Sequence, residues 1–300
     1  MSMAPLPNSD VRGESAGDVV RPAPYASRYV EAGGLRLRYL DYGAAGRPAL
    51  LCVHGGGAHA HWFDFVATGL CADYHVLAID QRGHGDSAWA EPTSYAYERF
   101  AADLHEAVDK LDLNDFVLIG HSMGGTIALM YAAAYPGRVR RLVVVDSTVH
   151  MTADRVAAMR EVGARRGSTY ANREEFIARF RLRPAGTRAA PDVLHHVAQH
   201  SCRQHADGSW RHKFDRNVYA TRETINGLPC WDHVGIPALL VKGDLSDRIS
   251  PQVFAEVKKR CPQAELAEVS NSDHHVTLDN PAGFVRAVKA FLHNHAGRTA

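Results

Sequence analysis

Residues 116–125 read Phe-Val-Leu-Ile-Gly-His-Ser-Met-Gly-Gly, and this stretch decides the reading of the 300-residue chain. The apolar run 116–119 has the length and composition of a buried strand, and the run from Met123 to Tyr135 reads as a helix stopped by Pro136. Between them Gly120, Ser122 and Gly124 make a G-x-S-x-G pattern. A serine on a sharp strand-to-helix turn needs small neighbours, because such a turn is strained and crowds adjacent side chains. The start of the helix also favours negative charge nearby. Ser122 is therefore the candidate nucleophile. The same pattern recurs at Gly13-Glu14-Ser15-Ala16-Gly17. There it sits in a polar segment with no strand before it and no helix after it, as a chance match would.

Working outward, strand-like runs at 49–53, 76–79, 116–119 and 142–145 alternate with helical patterns at 60–71, 97–111 and 123–135. That alternation implies an α/β fold with a mostly parallel central sheet and helices on both faces. A hairpin over 27–31 and 35–42, turned by Gly33-Gly34, precedes it. Two further strands, 238–241 and 264–269, bracket a helix opened by Ser250-Pro251, and Asn280-Pro281 opens a last amphipathic helix over 284–292. The stretch 148–232 breaks the rhythm: it is rich in Arg and His, shows helical pieces and offers no good strand. The expected organisation is a disordered tail (1–26), a core (27–147 and 233–300) and a helical cap (148–232).

Composition is that of an ordinary globular protein, 46% hydrophobic and 22% charged. Lys plus Arg number 34 against 33 Asp plus Glu, so no basic footprint for nucleic acid is present. No apolar run approaches the ~18 residues of a membrane span, and the opening residues carry neither an apolar h-region nor a basic n-region, so a secretory signal is not expected. The five cysteines form no C-x-x-C pair, which fits reduced thiols in a cytoplasm. The expected partner is a small-molecule substrate, with neither nucleic acid nor membrane.

These motifs resemble the α/β-hydrolase family over residues 28–296. His54-Gly55-Gly56-Gly57, following a strand, resembles the family's oxyanion loop, and Arg82-Gly83-His84-Gly85-Asp86-Ser87 resembles another of its hallmarks. The resemblance implies that the N–H groups of Gly56 and Met123 form the oxyanion hole, and that His54 and His84 shape loops. It places the base in the loop after the last strand, ahead of an acidic-x-Pro helix start. In Asp273-His274-His275-Val276-Thr277-Leu278-Asp279-Asn280-Pro281 that position is His274, with His275 beside it as the alternative. The acid is implied after the penultimate strand, in Gly243-Asp244-Leu245-Ser246-Asp247-Arg248-Ile249, where Asp247 is preferred over Asp244.

The chemistry so implied is hydrolysis of a carboxylic ester or lactone through an acyl-enzyme. Serine at the elbow separates the chain from the haloalkane-dehalogenase and epoxide-hydrolase branches, which carry aspartate there. Amide hydrolysis, carbon–carbon bond hydrolysis of a β-diketone-like substrate, cofactor-free perhydrolysis and a ligand receptor on the same scaffold stay open. No cofactor or metal is expected. His195, His196, His200 and His205 cluster in the sequence, but no H-E-x-x-H pattern or acidic partner accompanies them, so they read as cap surface. Trp210, Tyr219 and Trp231 are the candidates to line a substrate pocket, together with Phe214.

Overall fold

The computed structural model describes residues 21–295. A hairpin of β1 (Ala26–Ala32) and β2 (Leu35–Asp41) is followed by β3 (Ala49–Val53), α1 (Asp64–Leu70), β4 (His75–Ile79) and α2 (Tyr97–Lys110). Then come β5 (Phe116–His121), α3 (Met123–Ala134) and β6 (Val139–Val145). After an insertion the core resumes with β11 (Ala238–Gly243), α8 (Pro251–Arg260), β12 (Glu265–Val269), α9 (Val276–Asp279) and α10 (Pro281–Asn294). All eight strands join one sheet in the order β1-β2-β4-β3-β5-β6-β11-β12. The pairs β1/β2 and β2/β4 are antiparallel and every other pair is parallel. Helices cover both faces of the parallel part, so its central strands are apolar throughout; every residue of β5 is buried.

The winding of the sheet positions the site. The chain goes from β3 outward to β4, then crosses back to lay β5 on the other side of β3. Ligand crevices open at the carboxyl ends of strands where such a reversal occurs. Here that crevice is flanked by the Gly55–Gly57 loop after β3 and by Ser122 after β5. The glycines of the elbow are a packing requirement. A Cβ on Gly120 would overlap the carbonyl of Gly124, and one on Gly124 would overlap the carbonyls of Val53 and His54. Strand β5, helix α3 and the end of β3 thus meet at backbone contact.

The insertion between β6 and β11 carries β7 (His150–Met151), α4 (Ala153–Ala164), α5 (Arg173–Arg179), α6 (Pro191–His200), β8 (Cys202–Gln204), β9 (Trp210–His212), α7 (Asn217–Ala220) and β10 (Ile225–Asn226). Its two ends pair with each other, Met151 with Ile225 and His150 with Asn226, so the segment leaves and re-enters the core at one place. The four short strands were not expected; two or three residues are too few for an alternation pattern to show.

The N-terminal boundary also shifts. Residues 1–20 of the expected tail, and the decoy serine Ser15, lie outside the described residues. Residues 21–26 are seated on the core: Ala23 is buried and its N–H donates to the Asp64 carbonyl at 2.8 Å. Among the described residues no helix is long and apolar enough to cross a membrane.

Candidate active site

Ser122 stands between β5 and α3 with φ 52° and ψ −117°, a left-handed conformation that a serine adopts at a cost and that neighbouring structure must enforce. Its N–H donates to the Val145 carbonyl at 2.8 Å, and its carbonyl receives Gly125 N–H at 2.9 Å. The hydroxyl is thereby held at the mouth of the crevice. His274 Nε2 lies 3.0 Å from Ser122 Oγ. The His274 carbonyl faces His121 Nε2 at 2.8 Å, which fixes the loop that carries it. His275 turns away, its Nε2 2.9 Å from the Pro184 carbonyl in the cap.

The acid is where the structure corrects the sequence. Asp247 is exposed and does not reach His274. The carboxylate at His274 Nδ1 is that of Asp146, at 2.6 Å, directly after β6. Strands β6 and β11 are neighbours, so loops from either can approach the histidine. A left-handed backbone at Asp146, φ 45°, and the bond from its N–H to the Val241 carbonyl at 2.7 Å aim its side chain inward. The β11 loop contributes Ser246 instead, whose hydroxyl donates to Asp146 Oδ2 at 2.8 Å. Asp244 accepts the amides of Asn271 and Ser272 at 3.0 and 2.9 Å, the turn-capping role of a loop aspartate. The missed signal was an aspartate at the carboxyl end of a central strand, one strand over from the serine.

Burial sets the electrostatics. It pulls His274 well below the ordinary imidazole value, aided by His275, Arg248 and Arg155, so the ring is neutral near pH 7. Burial also raises the Asp146 carboxyl to about 6, against the Ser246 hydrogen bond. With Asp146 at Nδ1, the bonding pattern assigns the proton to Nδ1 and leaves the Nε2 lone pair facing Ser122.

Gly56, Met123, Ser122, Asp146 and His274 border one cavity of about 670 Å³ beneath the cap. The Gly56 carbonyl accepts the Tyr219 hydroxyl at 2.8 Å, and the Met123 amide opens α3, where helix geometry supplies it no partner. Of the three aromatic pocket candidates, Tyr219 borders the cavity, as does Phe214. Trp231 does not: it is fully buried, in the segment that packs on α3. Trp210 does not either; it lies in β9, bridged to Tyr170. Met151, Met159, Phe180 and Leu182 line the apolar part instead.

The histidine cluster is also different from its sequence reading. His196 and His200 face inward from α6 and meet His61 and Asp64 of the core; donor atoms of these four lie within 4.8 Å of one another. This is the set among the described residues that could close on a cation, and its carboxylate comes from a residue remote in sequence. The donors are already engaged with one another. Asp64 Oδ2 lies 2.8 Å from His61 Nδ1 and 2.6 Å from His196 Nε2, and Asp64 Oδ1 accepts the Tyr42 hydroxyl. His61 Nε2 faces the Arg38 guanidinium at 2.7 Å, and the His200 ring stacks on His61 at 3.6 Å. The Arg38 guanidinium at His61 Nε2 puts a fixed positive charge beside these donors, which disfavours a metal there. The arrangement is a hydrogen-bonded tie between cap and core.

A family model described as the alpha/beta hydrolase fold matches residues 48–281. Esterase Rv0045c of Mycobacterium tuberculosis is 31% identical over 290 residues, covering 93% of this chain and 92% of that protein. N-formylmaleamate deformylase of Pseudomonas putida is 30% identical over 272 residues, covering 88% and 95%. Among solved structures, that of E-2-(acetamidomethylene)succinate hydrolase superposes with a TM-score of 0.79 at 24% identity, covering 90% of this chain and 100% of the other.

Proposed function

The chain belongs to the α/β-hydrolase fold family and is a hydrolase of that fold, and from that premise we propose that it cleaves carboxylic esters or lactones through an acyl-enzyme on Ser122. The observation that carries this reading is His274 spanning Ser122 Oγ at 3.0 Å and Asp146 Oδ2 at 2.6 Å with its two ring nitrogens. Ser122 Oγ attacks the carbonyl carbon while its proton passes to His274 Nε2. Asp146 holds the Nδ1 proton and stabilises the imidazolium. The carbonyl electrons move onto oxygen, where the N–H groups of Gly56 and Met123 would receive them, each donor worth about 3 kcal/mol. Collapse expels the alcohol oxygen, which takes the proton from Nε2. Water, deprotonated by His274, then attacks the acyl carbon, releasing the acid and restoring Ser122.

An amide substrate is the second reading, favoured by the relative named for deformylation of N-formylmaleamate. The same residues serve, since His274 can deliver its proton to a leaving nitrogen as to an oxygen. A fluorophosphonate probe tests the nucleophile. One adduct per chain on Ser122, none in Ser122→Ala, supports the reading. An adduct on any other serine, with Ser122 unmodified, overturns it.

A further inference from the structure

Arg222 borders the cavity yet is 1% exposed. Its Nη2 rests on the Met123 sulfur at 2.9 Å and its guanidinium lies 4.8 Å from the centre of the Tyr97 ring. Its Nε and Nη1 are buried with no hydrogen-bond partner among the described residues. No carboxylate pairs with it there either. Arginine cannot shed its proton at physiological pH, so it cannot escape burial by becoming neutral. A desolvated guanidinium with open donors calls for an anion, and its planar fork matches a carboxylate.

The surroundings point the same way. Arg155 and Arg248 also border the cavity and bear on His274. The carboxylate bordering the cavity, Asp146, is already committed to His274 and Ser246. The site therefore presents positive charge on an otherwise apolar wall of Met151, Met159, Phe180 and Leu182. Met123, which Arg222 touches, directly follows Ser122 and is on the side where the acyl carbonyl would be held.

We propose that Arg222 forms an anion subsite that binds a carboxylate on the acyl part of the substrate, so that half-esters of short dicarboxylic acids are preferred to neutral esters. This rests on the acyl-enzyme reading above and names the substrate class for the same site.

Monomethyl succinate and methyl butyrate differ by a carboxylate in place of a methyl group, and methanol release follows both. The expected result is kcat/KM at least tenfold higher for the half-ester, carried by KM. In Arg222→Met that ratio should collapse toward one, and Arg222→Lys should restore part of it. Calorimetry with free succinate gives a readout independent of turnover: binding to the wild type that is lost in Arg222→Met supports the subsite. Equal or better turnover of methyl butyrate by the wild type, or succinate binding unchanged in Arg222→Met, overturns it. Where Arg222→Met does not fold, absence of succinate binding to the wild type overturns it alone. Failure of Ser122 to take the fluorophosphonate would strike the acyl-enzyme reading and leave the succinate measurement to decide on the subsite.

Discussion

Asp146 Oδ2 sits 2.6 Å from His274 Nδ1 although 128 residues separate them, and the contact is made because β6 ends beside β5 and β11. An orienting carboxylate fixes the imidazole tautomer; its replacement by an amide in a trypsin-like serine protease costs about 10⁴ in kcat. Asp146→Asn should therefore lose several orders of magnitude in kcat while keeping its thermal midpoint within a few degrees. Asp247→Asn, on an exposed side chain, should change kcat by less than about threefold, under ~0.7 kcal/mol. The reverse ranking in folded variants would return the role to Asp247.

The difference between those two aspartates shows what the sequence could and could not reveal. Ser122 was legible because local chemistry flags it: the glycines that the strand–turn–helix junction cannot do without. His274 follows instead from the family resemblance, which places a histidine ahead of the Asn280-Pro281 helix start and leaves His275 beside it as the alternative. The sheet was legible because β3, β4, β5 and β6 are buried on both faces and so read as continuous apolar runs. The acid was not, because adjacency of β6 and β11 brings two loops to one histidine, and a left-handed φ at Asp146 decides which carboxylate turns in. Arg222 gave no signal either; one arginine in an Arg-rich segment is indistinguishable until burial is known. Trp231 looked like a pocket residue for the same reason and proved to be core.

The pH dependence of catalysis expected under the proposed mechanism follows from burial of His274, its proposed base. His274 must be neutral to accept the serine proton, and burial places its protonation below the ordinary value of ~6.5. The kcat/KM profile should rise with pH, with its half-maximum below about 6.5 and a plateau through neutrality. A half-maximum above pH 7.5, with chemistry rate-limiting, would contradict the assignment of His274 as base.

Stability should depend on pH with the same sign. Burial lowers the protonation of His54, His59, His84 and His121, and pulls His200 to about 3 and His212 to about 4. Unfolding returns each to about 6.5, so the unfolded chain binds more protons below that value. Their contribution is fully present above pH ~6.5 and is lost as pH falls through the folded values. Asp146, raised to about 6, acts oppositely, but alone among Ser122, Asp146 and His274. The thermal midpoint at pH 5 should lie below that at pH 7.5. An equal or higher midpoint at pH 5 would refute the buried-neutral state of these rings.

Arg222 should cost stability in the free protein. A buried guanidinium whose Nε and Nη1 meet no acceptor bears a desolvation penalty, and methionine of similar length would pack in its place. Arg222→Met should raise the unfolding free energy by about 1–3 kcal/mol while reducing turnover of the half-ester. A lower unfolding free energy would mean that the guanidinium is stabilising where it lies, through its contact with Tyr97.

The tie between cap and core rests on one buried carboxylate. Asp64 is fully buried and held near 2, against its burial, by hydrogen bonds from His196, His61 and Tyr42. His196 belongs to α6 and Asp64 opens α1, so this bond spans the cap–core boundary. Hydrogen bonds to charged groups contribute about 1.5–3 kcal/mol, and an orphaned acceptor adds its own desolvation cost. His196→Ala should lower unfolding free energy by about 2 kcal/mol and speed amide exchange in α6 more than in α3. The tie is made of hydrogen bonds, so exhaustive chelation before the melt should leave the wild-type midpoint where it was. A midpoint that falls on chelation and returns with zinc, but only while His196 and His200 are both intact, would show that His61, Asp64, His196 and His200 hold a metal.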